Sequence, residues 1–566
     1  MKIIECVPNV SEGRDHRVLD RIAEAVRSVD GVELLDVDPG AETNRTVFTF
    51  VGPPDALAEA AFRFAKVATE LIDMRHHKGA HARMGAVDVM PFVPVGGGAT
   101  MDDCVELAHR VGRRLGEELG IPVYLYERAA TRPERRSLAD VRKGEYEGLP
   151  AKLAAPEWKP DYGPAEFNPK AGATAVGARP FLIAYNVDLN TTDRKLAHDI
   201  ALDIREQGRF ARGPDGKILR DEQGNRLRKP GMLRNVRAVG WFIPEFGRAQ
   251  VSINLTDYHV TPPHVAFDTI RDEARKRGLR VTGSEIVGLV PLEAIRMAGE
   301  HYLAAQGKTT AVPEPDLVAA ARTSLGLDDV KPFEPEQAII DYRLFPRETG
   351  LRAMSLLGFA DELSRATPAP GGGSVSAYLG SLGAALASMV AALTHGSIKG
   401  DAPEKERLVE LGRRAQDLKD RLARAVDRDT EAFEAMVAAR RMPRKTDEQK
   451  AAREAAILEA TRGGIEVPLS VVEAAAEVAE LAREIADLGM DAAASDAGVA
   501  AWCARAAAEG AGLNVRINLP GLPDEAERAR YRERLAGLLE RTRTAADEAL
   551  ARVDRKLAAQ EEGAAG

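Results

Sequence analysis

Three of the ten histidines in this 566-residue sequence, His76, His77 and His81, fall in one stretch, His76 to Val95 (HHKGAHARMGAVDVMPFVPV). An imidazole titrates near neutrality, so a histidine on a fixed support can take up and release a proton at working pH. Lys78 to Gly85 shows neither a two-residue nor a 3.6-residue apolar period and is expected as a loop. Ala86 to Val95, followed by Gly96-Gly97-Gly98, is expected as the strand that this loop feeds. Gly79 and Gly85 bracket His81, and their missing side chains permit a ligand to approach the backbone. A solvated basic loop without a role is the competing reading.

A second candidate lies far along the chain. Leu408, Leu411, Ala415, Leu418, Leu422, Val426, Phe433 and Met436 form an apolar stripe at helical spacing, and the position it calls for between Val426 and Phe433 is Asp429. Burial raises the pKa of an unpaired carboxylate toward the range useful for proton transfer. Asp427 lies about 200° away around the helix, so the two cannot enter one pocket of the same subunit. An aspartate bonded to a neighbouring helix is the alternative.

The elements that must position these groups alternate at first between strand and helix. Strands are expected at Ile3 to Pro8, Val32 to Asp38, Arg45 to Gly52 and Pro122 to Tyr126; helices at Asp15 to Val29, Pro54 to Asp73 and Met101 to Leu119. In Val32 to Asp38 the carboxylates of Asp36 and Asp38 share a face, either as a site wall or as a solvated edge. Ala178 to Leu189 reads as one apolar strand opening a second α/β unit. Pro214 to Pro230 reads as a charged hairpin with turns at Asp215-Gly216 and Gln223-Gly224. Pro332 to Arg347 is a linker by its three prolines. After it strands nearly vanish, and Thr446 with Gln449 forms a capping box for a helix that Gly463-Gly464 and Pro468 are expected to interrupt. Ala366 to Ile398 carries no Asp, Glu, Lys or Arg; its Ser376, Gly380, Ala384 and Ser388 recur every four residues, which favours a buried helix over a membrane span.

The totals narrow the class. A formal charge of −9 without a long basic run argues against nucleic acid as a partner. Cys6, Cys104 and Cys503 are scattered and have no metal-ligand spacing, so no metal is expected and a cytoplasmic setting is.

ECVPNVSEGRD (Glu5 to Asp15), LLDVD (Leu34 to Asp38), TNRTVFTFVG (Thr43 to Gly52), HARMGAVDV (His81 to Val89) and APGGGSV (Ala369 to Val375) together resemble the bifunctional formimidoyltransferase-cyclodeaminase family of folate metabolism. The resemblance runs over nearly the whole chain. It implies two α/β (α+β) subdomains forming a transferase half, at 1–180 and 181–331, then a linker at 332–351 and an all-α cyclodeaminase domain at 352–566. It also implies transfer of a formimino group from N-formimino-L-glutamate to tetrahydrofolate, followed by cyclisation to 5,10-methenyltetrahydrofolate with loss of ammonia. Tetrahydrofolate, in its mono- or polyglutamylated form, is then a co-substrate, and the chain is expected as a homo-oligomer.

By the same resemblance His81 is the transferase proton shuttle and Asp38 orients its ring. Arg45 and Arg83 are candidates for the substrate carboxylates, by type. The folate loop corresponds to Gly163, Pro164, Ala165, Glu166, Phe167, Asn168, Pro169, Lys170, Ala171 and Gly172; Trp158 and Phe167 either stack on the pterin or plug the loop onto the domain, the second being favoured. In the helical half, Gly371, Gly372, Gly373 and Ser374 would hold folate at a helix N-terminus. The family motif around VDRDTEAF contains both Asp427 and Asp429, of which the helical pattern prefers Asp429. Asp496 fits the family's acidic position, although GMDAAASD lacks the asparagine usual before it, and Asn514 and Asn518 can bond a pterin. The departure at GMDAAASD leaves two alternatives among enzymes, a silent helical half or a methenyltetrahydrofolate cyclohydrolase; a rival of another class is a non-catalytic folate-binding scaffold.

Overall fold

The computed structural model describes residues 2–41, 43–79, 82–244, 246–345, 350–400 and 402–565. The chain divides into two compact units: residues 1–294 with 325–343, and residues 295–324 with 344–566. The second unit thus takes up a segment, 295–324, that the sequence places before the linker.

The first unit holds two sheets. Its larger sheet contains β1 (Ile3–Cys6), β2 (Asn9–Val10), β3 (Glu33–Gly40), β4 (Arg45–Gly52), β5 (Val87–Gly96), β6 (Val123–Glu127) and β7 (Thr174–Ala178). β1 and β2 are successive pieces that both run antiparallel between β4 and β5, while β3 edges β4, and β7 and β6 extend β5 in parallel. Helices His16–Arg27, Pro54–Leu71 and Met101–Glu118 cover one face and build the core with Ile4, Phe48, Phe50, Phe64 and Phe92. The expected apolar side Leu57, Ala61, Phe64, Ala65 and Ala68 is buried throughout. The other face is left for a cavity.

The single strand expected at Ala178 to Leu189 is two. β7 ends at Ala178 and the second sheet begins with β8 (Ile183–Leu189). Pro180 carries no N–H and restricts the residue before it, so the ladder breaks there and the chain changes sheets. Next comes a ribbon: β9 (Arg209–Phe210) pairs β10 (Arg228–Lys229), and the turns at Gly216 (φ 76°) and Gly224 (φ 83°) fold the residues between them into a meander, one strand more than the expected hairpin. β11 (Val236–Ile243), β12 (Arg248–Leu255) and β13 (Val281–Val287) complete an antiparallel sheet in the order β11-β12-β8-β13. A Cβ on Gly240 would lie 2.1 Å from the His198 backbone nitrogen, so helix Arg194–Ile204 packs directly on that face.

In the second unit, helix Gly372–Ser397 packs against Pro403–Arg441, Asp447–Leu488 and Ala494–Asn518. Its length and composition would suit a membrane span. Its small residues are instead contact points: Ser376, Gly380, Ala384 and Ser388 are buried, and Gly380 meets Leu422 and Ala507. The capping box of Thr446 and Gln449 forms as expected.

The interruption expected at Gly463-Gly464 and Pro468 does not occur, and the helix runs from Asp447 to Leu488. Pro468 removes the N–H that would bond the Gly464 carbonyl four residues back. The side-chain amide of Asn518 supplies the missing donor, 2.9 Å from that carbonyl, while Val467, Pro468 and Leu469 are buried in the core. Asn518 therefore repairs a backbone with an amide N–H, and its other contact is to the Asn514 carbonyl at 3.0 Å.

Candidate active sites

The uncovered face of the larger sheet and the β8-containing sheet enclose a cavity of about 430 Å³. Alternation sends every second residue of a strand to one face. Glu5 of β1, Asn9 of β2, Asp36 and Asp38 of β3, and Arg45, Val47 and Thr49 of β4 line one wall; Ala184, Arg237, Asn254 and Val287 line the opposite one. Asp36 and Asp38 do share a face, and it is the cavity wall.

Charge in this cavity is unevenly satisfied. Arg45 donates to Asn9, yet its buried Nε–H has no partner among the described residues. Burial, with Arg142 nearby, pulls its pKa down to about 10. Burial, reinforced by Asp38, pushes the Asp36 carboxyl up. Arg142 is held by Asp88, whose other oxygen accepts from the Met84 N–H at 2.9 Å.

Glu5, 2 % exposed, is raised to about 7 by burial against the lowering influence of Arg179. Its folded form favours the proton, so stability falls as pH climbs from about 4.5 to about 7 and stays lower above that. Glu5→Gln is expected to lack this decline and to be more stable by up to about 3 kcal/mol above the window. Chemical denaturation across pH reads it.

His81 lies outside the described residues, as does Ala80. Their neighbours are fixed. The Asn44 amide donates to the Lys78 carbonyl at 3.1 Å, and a Cβ on Gly79 would stand 2.1 Å from the Thr43 carbonyl oxygen. A Cβ on Gly85 would stand 2.4 Å from that of Ala173. The close approach these glycines permit is to the chain itself, where a ligand was expected. His77 Nε2 donates to the Asn44 carbonyl at 2.8 Å, which leaves Nδ1 to accept from Arg83 Nε at 3.3 Å.

Arg83 is further engaged by Glu147 at 2.7 Å and Glu145 at 3.1 Å, and it does not line the cavity. The arginines that do line it are Arg45, Arg142, Arg179 and Arg237. The last three have no sequence signature: Arg142 follows a short helix, Arg179 lies just past β7 and Arg237 is on β11, and a lone arginine in any of these places reads as surface.

In the segment Gly163 to Gly172, the Asn168 side chain accepts from the N–H groups of Lys170 at 3.2 Å and Ala171 at 3.0 Å, closing a turn. Gly163, Pro164, Ala165, Glu166, Pro169 and Lys170 are exposed, Ala171 and Gly172 are buried, and none lines the cavity. Phe167 packs on Tyr146 (centroids 5.4 Å apart) and Trp158 on Tyr124 (6.1 Å), both against a small apolar cluster. These rings plug the segment onto the domain, the favoured alternative.

In the helical unit Asp429 and the glycine entry meet. The single Ser374 hydroxyl hydrogen is shared between an Asp429 carboxylate oxygen at 3.1 Å and the Val426 carbonyl at 3.0 Å. Burial raises the Asp429 carboxyl, against hydrogen bonds from Ser374 that lower it. Asn514 lies beside Gly372, its amide 3.7 Å from where a Cβ there would be. The stripe itself stops at Val426: Phe433 is exposed, and the helix beyond leaves the core.

Asp427 instead accepts from the Leu351 N–H at 2.7 Å and pairs with Arg352 at 3.3 Å, tying an adjoining segment to the helix. Asp496 sits in the first turn of the helix that carries Asn514 near its end. Eighteen residues of helix separate them by roughly 27 Å, so Asp496 does not share a pocket of one chain with Asp429 and Asn514.

A Cβ on Gly373 would fall 2.0 Å from an Asp429 oxygen. Gly373→Ala is expected to push that carboxylate aside and lower turnover in the helical unit at least tenfold. Ammonia release measured beside circular dichroism checks it, the fall in rate being expected in a protein that keeps its helical signal.

The sequence matches the descriptions "Formiminotransferase domain, N-terminal subdomain" over residues 3–179, "Formiminotransferase domain" over 184–345, and "Formiminotransferase-cyclodeaminase" over 355–537. It is 43% identical over 562 residues to a formimidoyltransferase-cyclodeaminase of Sus scrofa, covering 98% of this chain and 100% of the other. It is 44% identical over 302 residues to a glutamate formimidoyltransferase of Streptococcus pyogenes serotype M1, covering 53% of this chain and 93% of that one. A methenyltetrahydrofolate cyclohydrolase of Methylorubrum extorquens is 40% identical over 181 residues, 32% of this chain and 86% of that one.

Proposed function

The chain belongs to the formimidoyltransferase-cyclodeaminase family, and from that premise we propose that each of its two units performs one of two consecutive reactions on tetrahydrofolate. In the cavity between the sheets of the first unit, the position-5 nitrogen of tetrahydrofolate attacks the formimino carbon of N-formimino-L-glutamate. As the tetrahedral adduct collapses, the bond to the glutamate nitrogen breaks and glutamate leaves with a proton. His81 exchanges that proton, with Asp38 fixing the usable tautomer. The observation carrying this reading is Arg45: a buried guanidinium N–H without a partner on a cavity wall suits one carboxylate of the substrate.

In the helical unit the position-10 nitrogen of the formimino-folate closes on the same carbon and ammonia departs. Asp429 is the acid that protonates the leaving nitrogen, for which its raised pKa fits it. Folate glutamate carboxylates would meet the N–H groups at the Gly371–Ser374 helix start. The reactions belong to histidine breakdown and one-carbon metabolism in the cytosol. A homo-oligomer is supported by exposed apolar side chains: Leu382, Met389 and Leu393 on Gly372–Ser397, with Trp502 and Ile517 at 55 % and 76 % exposure on the neighbouring helix. Val375, Leu379, Leu382, Leu386, Met389 and Leu393 alternate three and four residues apart, the spacing of a helix–helix seam.

Likeness to a methenyltetrahydrofolate cyclohydrolase over one third of the chain favours one second reading, in which the helical unit opens methenyl-folate with water. Purified protein given N-formimino-glutamate and tetrahydrofolate separates the two. Methenyl-folate absorbance with stoichiometric ammonia supports both proposed reactions. Glutamate release with decay of added methenyl-folate supports the second reading, and the absence of glutamate release overturns the transferase.

A further inference from the structure

Of the cavity's four arginines, three have protein partners: Arg45 donates to Asn9 and keeps its Nε–H unpaired, Arg142 is held by Asp88, and Arg179 donates to the Pro180 carbonyl at 3.0 Å. Arg237 makes no hydrogen bond or ion pair among the described residues, although it lines the cavity. Burial raises the Glu127 carboxyl, and Arg237 is one of the arginines near enough to oppose that rise, without closing an ion pair.

Register explains where Arg237 points. Arg237 of β11 is paired with Asn254 of β12, Asn254 with Ala184 of β8, and Ala184 with Val287 of β13. Residues in one register row across adjacent strands share a face, and all four line the cavity. Val236 and Ala238, on either side of Arg237, are buried on the opposite, helix-covered face. The Asn254 side chain also has no hydrogen-bond partner among the described residues. Ala184 and Val287 beside the pair are apolar and offer no competing acceptor.

We propose that Arg237 and Asn254 are the subsite for the second carboxylate of N-formimino-L-glutamate. This rests on the transferase reading. A guanidinium beside a side-chain amide presents convergent N–H donors to one carboxylate, and a planar fork suits a carboxylate better than a point charge. Arg45 on the facing sheet takes the other carboxylate. The substrate thus bridges the sheets, and a monocarboxylate reaches only one wall. The pair selects the substrate and takes no part in proton transfer.

The test uses the full chain carrying Arg237→Gln, with Arg237→Lys as the conservative variant. Arg237→Gln is expected to raise KM for N-formimino-glutamate about 10- to 100-fold, to leave KM for tetrahydrofolate unchanged, and to hold kcat within about threefold; Lys recovers part of the loss. Of two monocarboxylate analogues, one lacking the α- and one the γ-carboxylate, one should react equally with wild type and Arg237→Gln. Unchanged KM for the dicarboxylate, or equal increases for both substrates, overturns the assignment. Calorimetric binding of L-glutamate needs no turnover and separates failure of this pair from failure of the transferase reading: weaker binding to Arg237→Gln supports the subsite, and equal or absent binding to both proteins refutes it.

Discussion

His81→Ala is expected to lower glutamate release by about 10²- to 10⁴-fold, the usual contribution of a positioned proton-transfer group. Supplied 5-formimino-tetrahydrofolate should still be converted to methenyl-folate and ammonia, because Asp429 and Ser374 lie in the other compact unit. The flanking chain supports the assignment to the cavity. The Lys78 carbonyl accepts from Asn44 and Gly79 lies close against Thr43, just before Arg45 on the cavity wall. Separate stopped assays of glutamate and ammonia check it. Loss of both activities in a protein that keeps its circular dichroism would contradict two independent sites.

Asp429→Asn and Asp427→Ala should separate along opposite axes. Asp429→Asn is expected to depress ammonia release from formimino-folate by about 10²- to 10⁴-fold, with glutamate release intact. The folded state raises the Asp429 carboxyl above its unfolded value, so the native protein loses stability as pH rises through that interval. Asparagine has no such titration. The variant should match wild type in acid and exceed it in stability at neutral pH. Asp427→Ala removes the acceptor for Leu351 and the partner of Arg352. It should unfold more easily by about 1 kcal/mol, since a half-buried N–H loses its bond, while each folded molecule keeps its rate. Urea denaturation beside both assays decides; equal activity losses in the two variants would remove the distinction.

The contrast between the aspartates shows what a one-dimensional pattern conveys. Helical phase separated Asp429 from Asp427 because phase is local, and likewise Asp36 and Asp38 were assigned one face by alternation alone. Features that depend on a distant partner were not legible. Pro468 looks like a break until Asn518, fifty residues on, is brought to the Gly464 carbonyl. Gly79 and Gly85 signal close approach but not what approaches. Arg83 has the right chemistry for a substrate carboxylate, yet Glu145 and Glu147 already fill its fork. Glu5, Arg142, Arg179 and Arg237 acquire meaning only when two sheets face each other across a cavity. β7 was hidden because TAVGA is short and small, and its identity as a strand comes from filling the place between β5 and β6.

The assignment of 295–324 to the helical unit has a topological corollary. The chain passes from one unit to the other three times, so severing it at the proline-rich stretch cannot yield the two units as separate pieces. The upstream fragment would carry off Ala311, which lies too close to Gly412 for that glycine to bear a methyl group, and Thr310, which accepts from Arg413 at 3.0 Å. An ancestral fusion of two independent genes at that point would have needed the tail of the first product to settle on the second.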